Sequence, residues 1–358
     1  MMTKNEQGEF TRTEIFSQPE AWGDALDVVE QARPVLGALL QAEYDQVLFT
    51  GCGSTYYLSL SAAAQFTEST GKLARAVPGG ELLLNPDTFV RRIANPTDEE
   101  HHPAHKTLLV AVSRSGSTTE TIRAVEQFQK QKRGPVVAIT NYGDQPLAGL
   151  ADVALVIKKG QEQSVAQTRS FTSMFVTAAA LCLLAGGRET EYQSMRQLPA
   201  AGGKLMAEYD VLAQKFGANL AFDRFYFLGS GTRYGLACEA NLKMKEMSLT
   251  HSEPFHFLEF RHGPMSMVTE NAVIVGLVSE KNFHYEQAVL NEMQALGGNI
   301  LALGENGLDV RFNSGIPEAG RTILFLPVLQ LMAFYRSLAK GLNPDYPKNL
   351  AGVVKLNL

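Results

Sequence analysis

Residues 48–58, LFTGCGSTYYL, and residues 226–236, YFLGSGTRYGL, carry one pattern twice. In register both read F-x-G-x-G-[ST]-x-Y-x-L, from Phe49 to Leu58 and from Phe227 to Leu236. Each copy follows a short apolar run. An apolar run followed by a glycine turn and a Ser/Thr encodes a buried strand that turns sharply into a helix. Such self-similarity is the mark of a duplicated strand–turn–helix unit. Two similar α/β halves are therefore expected.

Working outward, the first half alternates strand and helix patterns. Continuous apolar runs at 47–50, 108–113, 136–140 and 153–157 suit parallel strands buried on both faces. Amphipathic stretches lie between them, such as 118–131, and a longer helix over 170–185 is stopped by Gly186-Gly187. The second half restarts the rhythm with strand candidates at 224–228, 272–278, 299–303 and 322–326. Residues 199–204, with Gly202-Gly203, read as the junction. The expected architecture is two tandem domains, each an open parallel sheet flanked by helices, over 20–198 and 205–344, with a tail at 345–358. The copies diverge after their second apolar strand. The first runs into a Ser-rich loop, the second into Ser279-Glu280-Lys281, so only the first is expected to keep an anion pocket.

The chain has 358 residues, 45% of them hydrophobic and 19% charged, enough for two globular domains. Net charge is −5 and no Lys/Arg block occurs, which argues against nucleic acid and acidic membrane surfaces as partners. Three cysteines without CxxC spacing fit neither a disulfide framework nor a zinc site. The start is polar, and the apolar run at 176–185 is too short to span a bilayer, so a cytoplasmic protein is expected.

The strongest chemical signal is Ser113-Arg114-Ser115-Gly116-Ser117-Thr118. It sits where a buried strand ends and a helix begins. Free N–H groups there attract anions, hydroxyls add donors, and glycine lets backbone approach. The carboxyl end of a strand is also where open α/β sheets bind ligands. The bland reading is a Ser/Thr helix cap. In Gly51-Cys52-Gly53-Ser54-Thr55 the third glycine of a dinucleotide fingerprint is replaced by Tyr56, and no GxxxxGK[ST] loop occurs. Residues 100–105, EHHPAH, are a poor metal cluster because Pro103 breaks helical spacing.

Glu239, Lys243 and Glu246 fall at i, i+4 and i+7, on one face of a helix. A solvent-exposed Glu–Lys pair is the plain alternative. The run that follows, Glu259-Phe260-Arg261-His262-Gly263-Pro264, puts a histidine in a sharp loop among charged residues, a place suited to proton transfer.

Together these motifs resemble the sugar isomerase (SIS) family in its double-domain form, from about Thr13 onward, and in particular the isomerase half of glucosamine-6-phosphate synthase. Glu14-Ile15-x-x-Gln18-Pro19 is similar to the entry of that half. Glu162-x-x-Val165-Ala166-Gln167-Thr168 with Ser170-Phe171-Thr172 is similar to its hexose-binding loop. Lys243-x-Lys245-Glu246-x-Ser248 and His262-Gly263-Pro264 are similar to its catalytic block, and Asp345-x-Pro347-x-Asn349-Leu350-Ala351 to its tail. There are three departures. No glutaminase segment and no cysteine near the start precede the first half. Arg114 and Phe260-Arg261-His262-Gly263-Pro264 lean toward galactosamine-6-phosphate deaminase/isomerase relatives. The tail lysine expected after Asn-Leu-Ala is Gly352, with Lys355 three residues on.

The resemblance implies aldose–ketose isomerisation of a hexose or amino-hexose 6-phosphate, with or without loss of ammonia and without metal or organic cofactor. Glu246 would carry the proton between C1 and C2, since a partly desolvated carboxylate can both take and give one near neutrality. Lys243 would steady the enediolate, and His262 would open the ring. Ser54, Thr55, Ser113, Arg114, Ser115 and Thr118 would hold the phosphate; Glu162, Val165 and Gln167 would face the sugar. In the family the histidine comes from a neighbouring subunit, which implies a homodimer with shared sites. The competing expectation is a sugar-phosphate sensor without turnover, which Gly352 favours. No helix-turn-helix segment precedes the first half, against a regulator that binds DNA.

Overall fold

The computed structural model describes residues 7–90 and 106–353. The EHHPAH stretch and Lys355 lie outside the described residues. Two five-stranded, fully parallel sheets carry the chain. The first has the order β2-β1-β3-β4-β5 and contains β1 (Gln46–Gly51), β2 (Ala74–Pro78), β3 (Thr107–Ser113), β4 (Val136–Thr140) and β5 (Val153–Val156). The second, read from the opposite edge, has the same order: β7 (His251–Phe255), β6 (Arg224–Leu228), β8 (Ala272–Leu277), β9 (Asn299–Gly304) and β10 (Val310–Arg311). Pairing matches too, with Gln46 opposite Thr107 and Arg224 opposite Ala272.

The duplication extends to backbone angles. Gly53 has φ 58° and ψ −123°; Gly231 has φ 57° and ψ −129°. Glycine enters this positive-φ region without the clash a Cβ would cause. The helices that follow, Ser54–Thr70 and Thr232–Ser248, pack on each other between the sheets. A Cβ on Gly235 would lie 2.3 Å from the Tyr57 carbonyl oxygen, so only glycine permits this crossing.

Strand side chains alternate between two environments. Phe49, Val110 and Ile139 point into a large apolar core between the sheets, which both halves build. Leu48, Leu109 and Ala138 face a smaller cluster on the outer side of the first sheet. Tyr226 and Ile274 do the same on the second.

One strand expectation is corrected. Residues 322–326 are not a strand: Thr322–Phe325 is a 3-10 turn leading into the helix Leu326–Ala339, which is buried in the core and packs on the helix Leu198–Ala218. Although Glu318–Ala339 is long and apolar enough to cross a membrane, 83% of its most apolar window is buried inside the protein. Gly202-Gly203 lies within the helix Leu198–Ala218, which in chain order comes between the two sheets. A Cβ on Gly202 would sit 2.2 Å from the Trp22 ring.

Candidate active site

β1 and β3 are hydrogen-bonded neighbours, so their carboxyl ends set residues 51–55 beside residues 113–118. In the β3 loop Gly116 turns with φ 63°. Its N–H donates to Ser113 Oγ at 3.2 Å, and its carbonyl accepts from Leu147 N at 3.0 Å. The Ser113 and Ser115 hydroxyls lie 3.4 and 3.5 Å from Thr118 Oγ1. Thr118 caps the helix Thr119–Lys130 in extended conformation, and its side chain makes no capping hydrogen bond. Hydroxyls and a free helix start thus share one concave turn, the arrangement that suits a phosphate. Thr55 is tied into its own turn: its hydroxyl accepts from Cys52 N at 2.9 Å and donates to Cys52 O at 3.0 Å.

Lys243 reaches this corner from the other half of the chain. Its side chain is fully buried, and its Nζ donates to Ser54 Oγ at 3.3 Å and to Glu246, and lies 3.2 Å from Glu239 Oε1. Burial pulls the ammonium's pKa down, but the two carboxylates outweigh it and the result is a raised value. Glu239 is fully buried, and among the described residues neither of its oxygens has a well-aligned hydrogen bond. Burial pushes it up to about 8, against the opposing charge of Lys243 and with help from Glu246. Of the three, only Glu246 has an exposed side chain, at 14%. A carboxylate at the open edge, backed by a buried ammonium, can exchange a proton with a bound molecule while the cation steadies negative charge beside it.

His262 is exposed at the end of the turn Glu259–Arg261, and no hydrogen bond or ion pair joins its imidazole to Lys243 or Glu246. Buried Phe260 and an Arg261–Glu292 ion pair at 2.7 Å anchor its loop. The site within one chain therefore brings Ser54, Lys243 and Glu246 together and leaves His262 facing outward.

Arg114 and Glu162 face each other at 3.8 Å, and both are engaged with the protein. Arg114 donates to the carbonyls of Ser164, Val165 and Gly352. Glu162 accepts from Thr168 N and Oγ1, both at 2.8 Å, and from Ser170 Oγ. Val165 N donates to Asp345 O at 3.0 Å. Gln167 Oε1 is buried without a partner among the described residues. Arg114, Glu162 and Val165 line a cavity of about 340 Å³ beside Ser115, with Tyr142, Gln145 and Gly352 in its wall, and Gln167 is not among its lining residues.

Sequence reasoning left out the residues that hold this loop. Glu14 accepts from Gln163 N at 2.6 Å and from Ser164 N and Oγ; burial, then repulsion from Glu162, raises its pKa. Asp345 accepts from Thr11 N at 2.8 Å and Thr11 Oγ1 at 2.7 Å. Their signal was present, since both stand in motifs noted for resemblance, yet neither carried a role.

Fold and site define a tandem α/β protein with a hydroxyl-lined anion turn and a buried lysine–carboxylate group where its halves meet. The chain belongs to the SIS-domain family: the SIS domain model matches residues 97–184 and again 222–309. The curated glutamine–fructose-6-phosphate aminotransferase (isomerizing) of Bordetella parapertussis is 30% identical over 96% of this chain, and that of Pyrococcus horikoshii 29% over 98%. The chain spans little more than half of each, 57% and 58%. Among solved structures, glucosamine-6-phosphate deaminase from Thermotoga maritima is 26% identical with TM-score 0.79, covering 97% of this chain and 100% of that one. The tagatose-6-phosphate ketose/aldose isomerase of Escherichia coli shares the fold at 24% identity and TM-score 0.82, with 96% and 97% covered.

Proposed function

We propose that this chain interconverts the aldose and ketose forms of a hexose 6-phosphate, or acts on a 2-amino-hexose 6-phosphate, consuming water and releasing ammonia. The carrying observation is the group Glu239–Lys243–Glu246, buried but for Glu246 and hydrogen-bonded to Ser54 in the β1 turn, which strand pairing sets beside the β3 turn. The names of the relatives, which are phosphosugar isomerases, deaminases and aminotransferases, support the same substrate class.

In this reading Ser113, Ser115 and Thr118, with Ser54, hold the phosphate and fix the sugar carbons against Glu246. Glu246 takes the proton from C2 of the opened sugar and returns it to C1, while Lys243 faces the oxygen that gains charge. His262 opens the ring from a second copy of the chain, which its outward position supports. The enzyme is then a cytoplasmic dimer with shared sites.

The test is steady-state kinetics on a panel of hexose and amino-hexose 6-phosphates. Glu246→Gln should lower kcat by about 10²–10⁴-fold with little change in substrate affinity. Mixing Glu246→Gln with His262→Ala subunits should restore part of the activity, and exchange without recovery would place both residues in one chain's site. Tight binding without turnover by the wild type would replace the enzyme with a sensor.

A further inference from the structure

The duplication puts a second cavity where the candidate active site would fall if the halves were exchanged. It holds about 370 Å³ and is lined by Ser230, Gly231 and Thr232 of the second turn, by Lys281, and by Gln65 and Glu68. Register makes the correspondence explicit. The shared pattern sets Thr232 against Ser54, and counting along the paired helices sets Gln65 against Lys243 and Glu68 against Glu246. Residues 278–282, between β8 and the helix Phe283–Ala295, take the place of residues 113–118. The sequence led to the expectation that only the first half keeps an anion pocket, because this loop lacks the Ser/Thr run. The cavity is nevertheless present.

Its wall is fitted for a ligand that is both anionic and hydroxylated. The helix Thr232–Ser248 starts here after Gly231, with no side chain capping it. Arg188, in its wall, is paired with Glu191 at 2.6 Å. Arg233 is committed to Glu286 and Glu318, both at 2.7 Å, which leaves Lys281 as the adaptable cation: it is 76% exposed and only 3.6 Å from Glu68. Gln65 is 2% exposed; its Nε2 donates to Ala319 O at 2.8 Å, while its Oε1 has no partner among the described residues. A buried acceptor left unpaired costs free energy that a ligand hydroxyl would recover.

We propose that this cavity is a second ligand site for a phosphorylated polyol of the sugar-phosphate class, held with its phosphate at Thr232, the helix start and Lys281 and its hydroxyls toward Gln65 and Glu68. Turnover does not follow, because Gln65 stands where Lys243 would stabilise a developing enediolate. The site binds and does not convert, so it is suited to sense a metabolite of the same class as the substrate.

The probe is radiolabelled sorbitol 6-phosphate, which has no carbonyl and cannot be isomerised, in equilibrium dialysis against the full chain. Wild type should bind two equivalents per chain. Thr232→Val/Lys281→Ala should lose one, its affinity falling at least tenfold, and Ser115→Ala/Thr118→Ala should lose the other. Two equivalents in the Thr232→Val/Lys281→Ala protein, or a wild type that binds one or none, overturns the second site. Retention of both equivalents by Ser115→Ala/Thr118→Ala instead contradicts the first phosphate pocket and leaves this site standing.

Discussion

Gly53 and Gly231 make the same turn to within a few degrees, yet the helices they start have opposite tasks. In the second helix the register positions carry Arg233, Glu239 and Lys243; in the first they carry Thr55, Ser61 and Gln65. All six are at least nine-tenths buried. The second helix therefore brings three ionisable groups into the interior, where the first brings hydroxyls and an amide. Buried charge is costly unless paired, so each must have a partner or change its protonation. Arg233 finds Glu286 and Glu318, Lys243 finds Glu246, and Glu239 is left to share Lys243. A duplicated backbone thus tolerates divergence where the new charges can be matched, and the incompletely matched one lies at the candidate active site.

The comparison breaks most visibly at Arg233. Replacing it with Met leaves Glu286, whose side chain is 3% exposed, without its cation and removes the bond to Leu277 O. Loss of one partner of a buried pair costs about 3–5 kcal/mol. Thr55→Ala, at the matching position, loses hydroxyl bonds within one turn and should cost about 0.5–1.5 kcal/mol. Urea denaturation of both variants gives the two values side by side, and equal losses would show that Arg233 is not a structural keystone of its half.

A subtler difference separates Glu239 from Ser61. Glu239 is raised from 4.5 to about 8 in the folded chain, so folding binds a proton that the unfolded chain releases between those values. Its stabilising share is therefore complete below pH 4.5 and is lost as pH rises through about 8. In that window it lowers stability by at most about 1.4 kcal/mol per pH unit. Glu239→Gln should flatten this slope and be relatively more stable than wild type at pH 8.5. Parallel stability–pH curves for the two proteins would mean Glu239 is ionised throughout.

Legibility followed burial pattern. The central strands could be read because Val, Ile, Leu and Ala fill both faces, as in β3 and β8. The edge strands ARAVP and HSEPF could not, since an edge needs neither continuous apolarity nor freedom from proline. Residues 322–326 were misread because a short apolar run looks the same in a buried helix. Gly202-Gly203 looked like a break, but the first glycine makes room for Trp22, a contact 180 positions away that no local pattern reveals. At the site, the hydroxyl turn and the Glu–Lys–Glu spacing were visible. What the spacing could not give was depth: whether the face was solvated or buried depended on the other half of the chain.

The central claim is that Glu246 moves a proton between adjacent sugar carbons, and incubation in deuterated water tests it directly. With fructose 6-phosphate and with glucosamine 6-phosphate, NMR should show the wild type placing deuterium at C1 or C2 of at least one of them. Glu246→Gln should bind the same sugar and place none. Deuterium entering as fast with Glu246→Gln as with wild type would contradict the account.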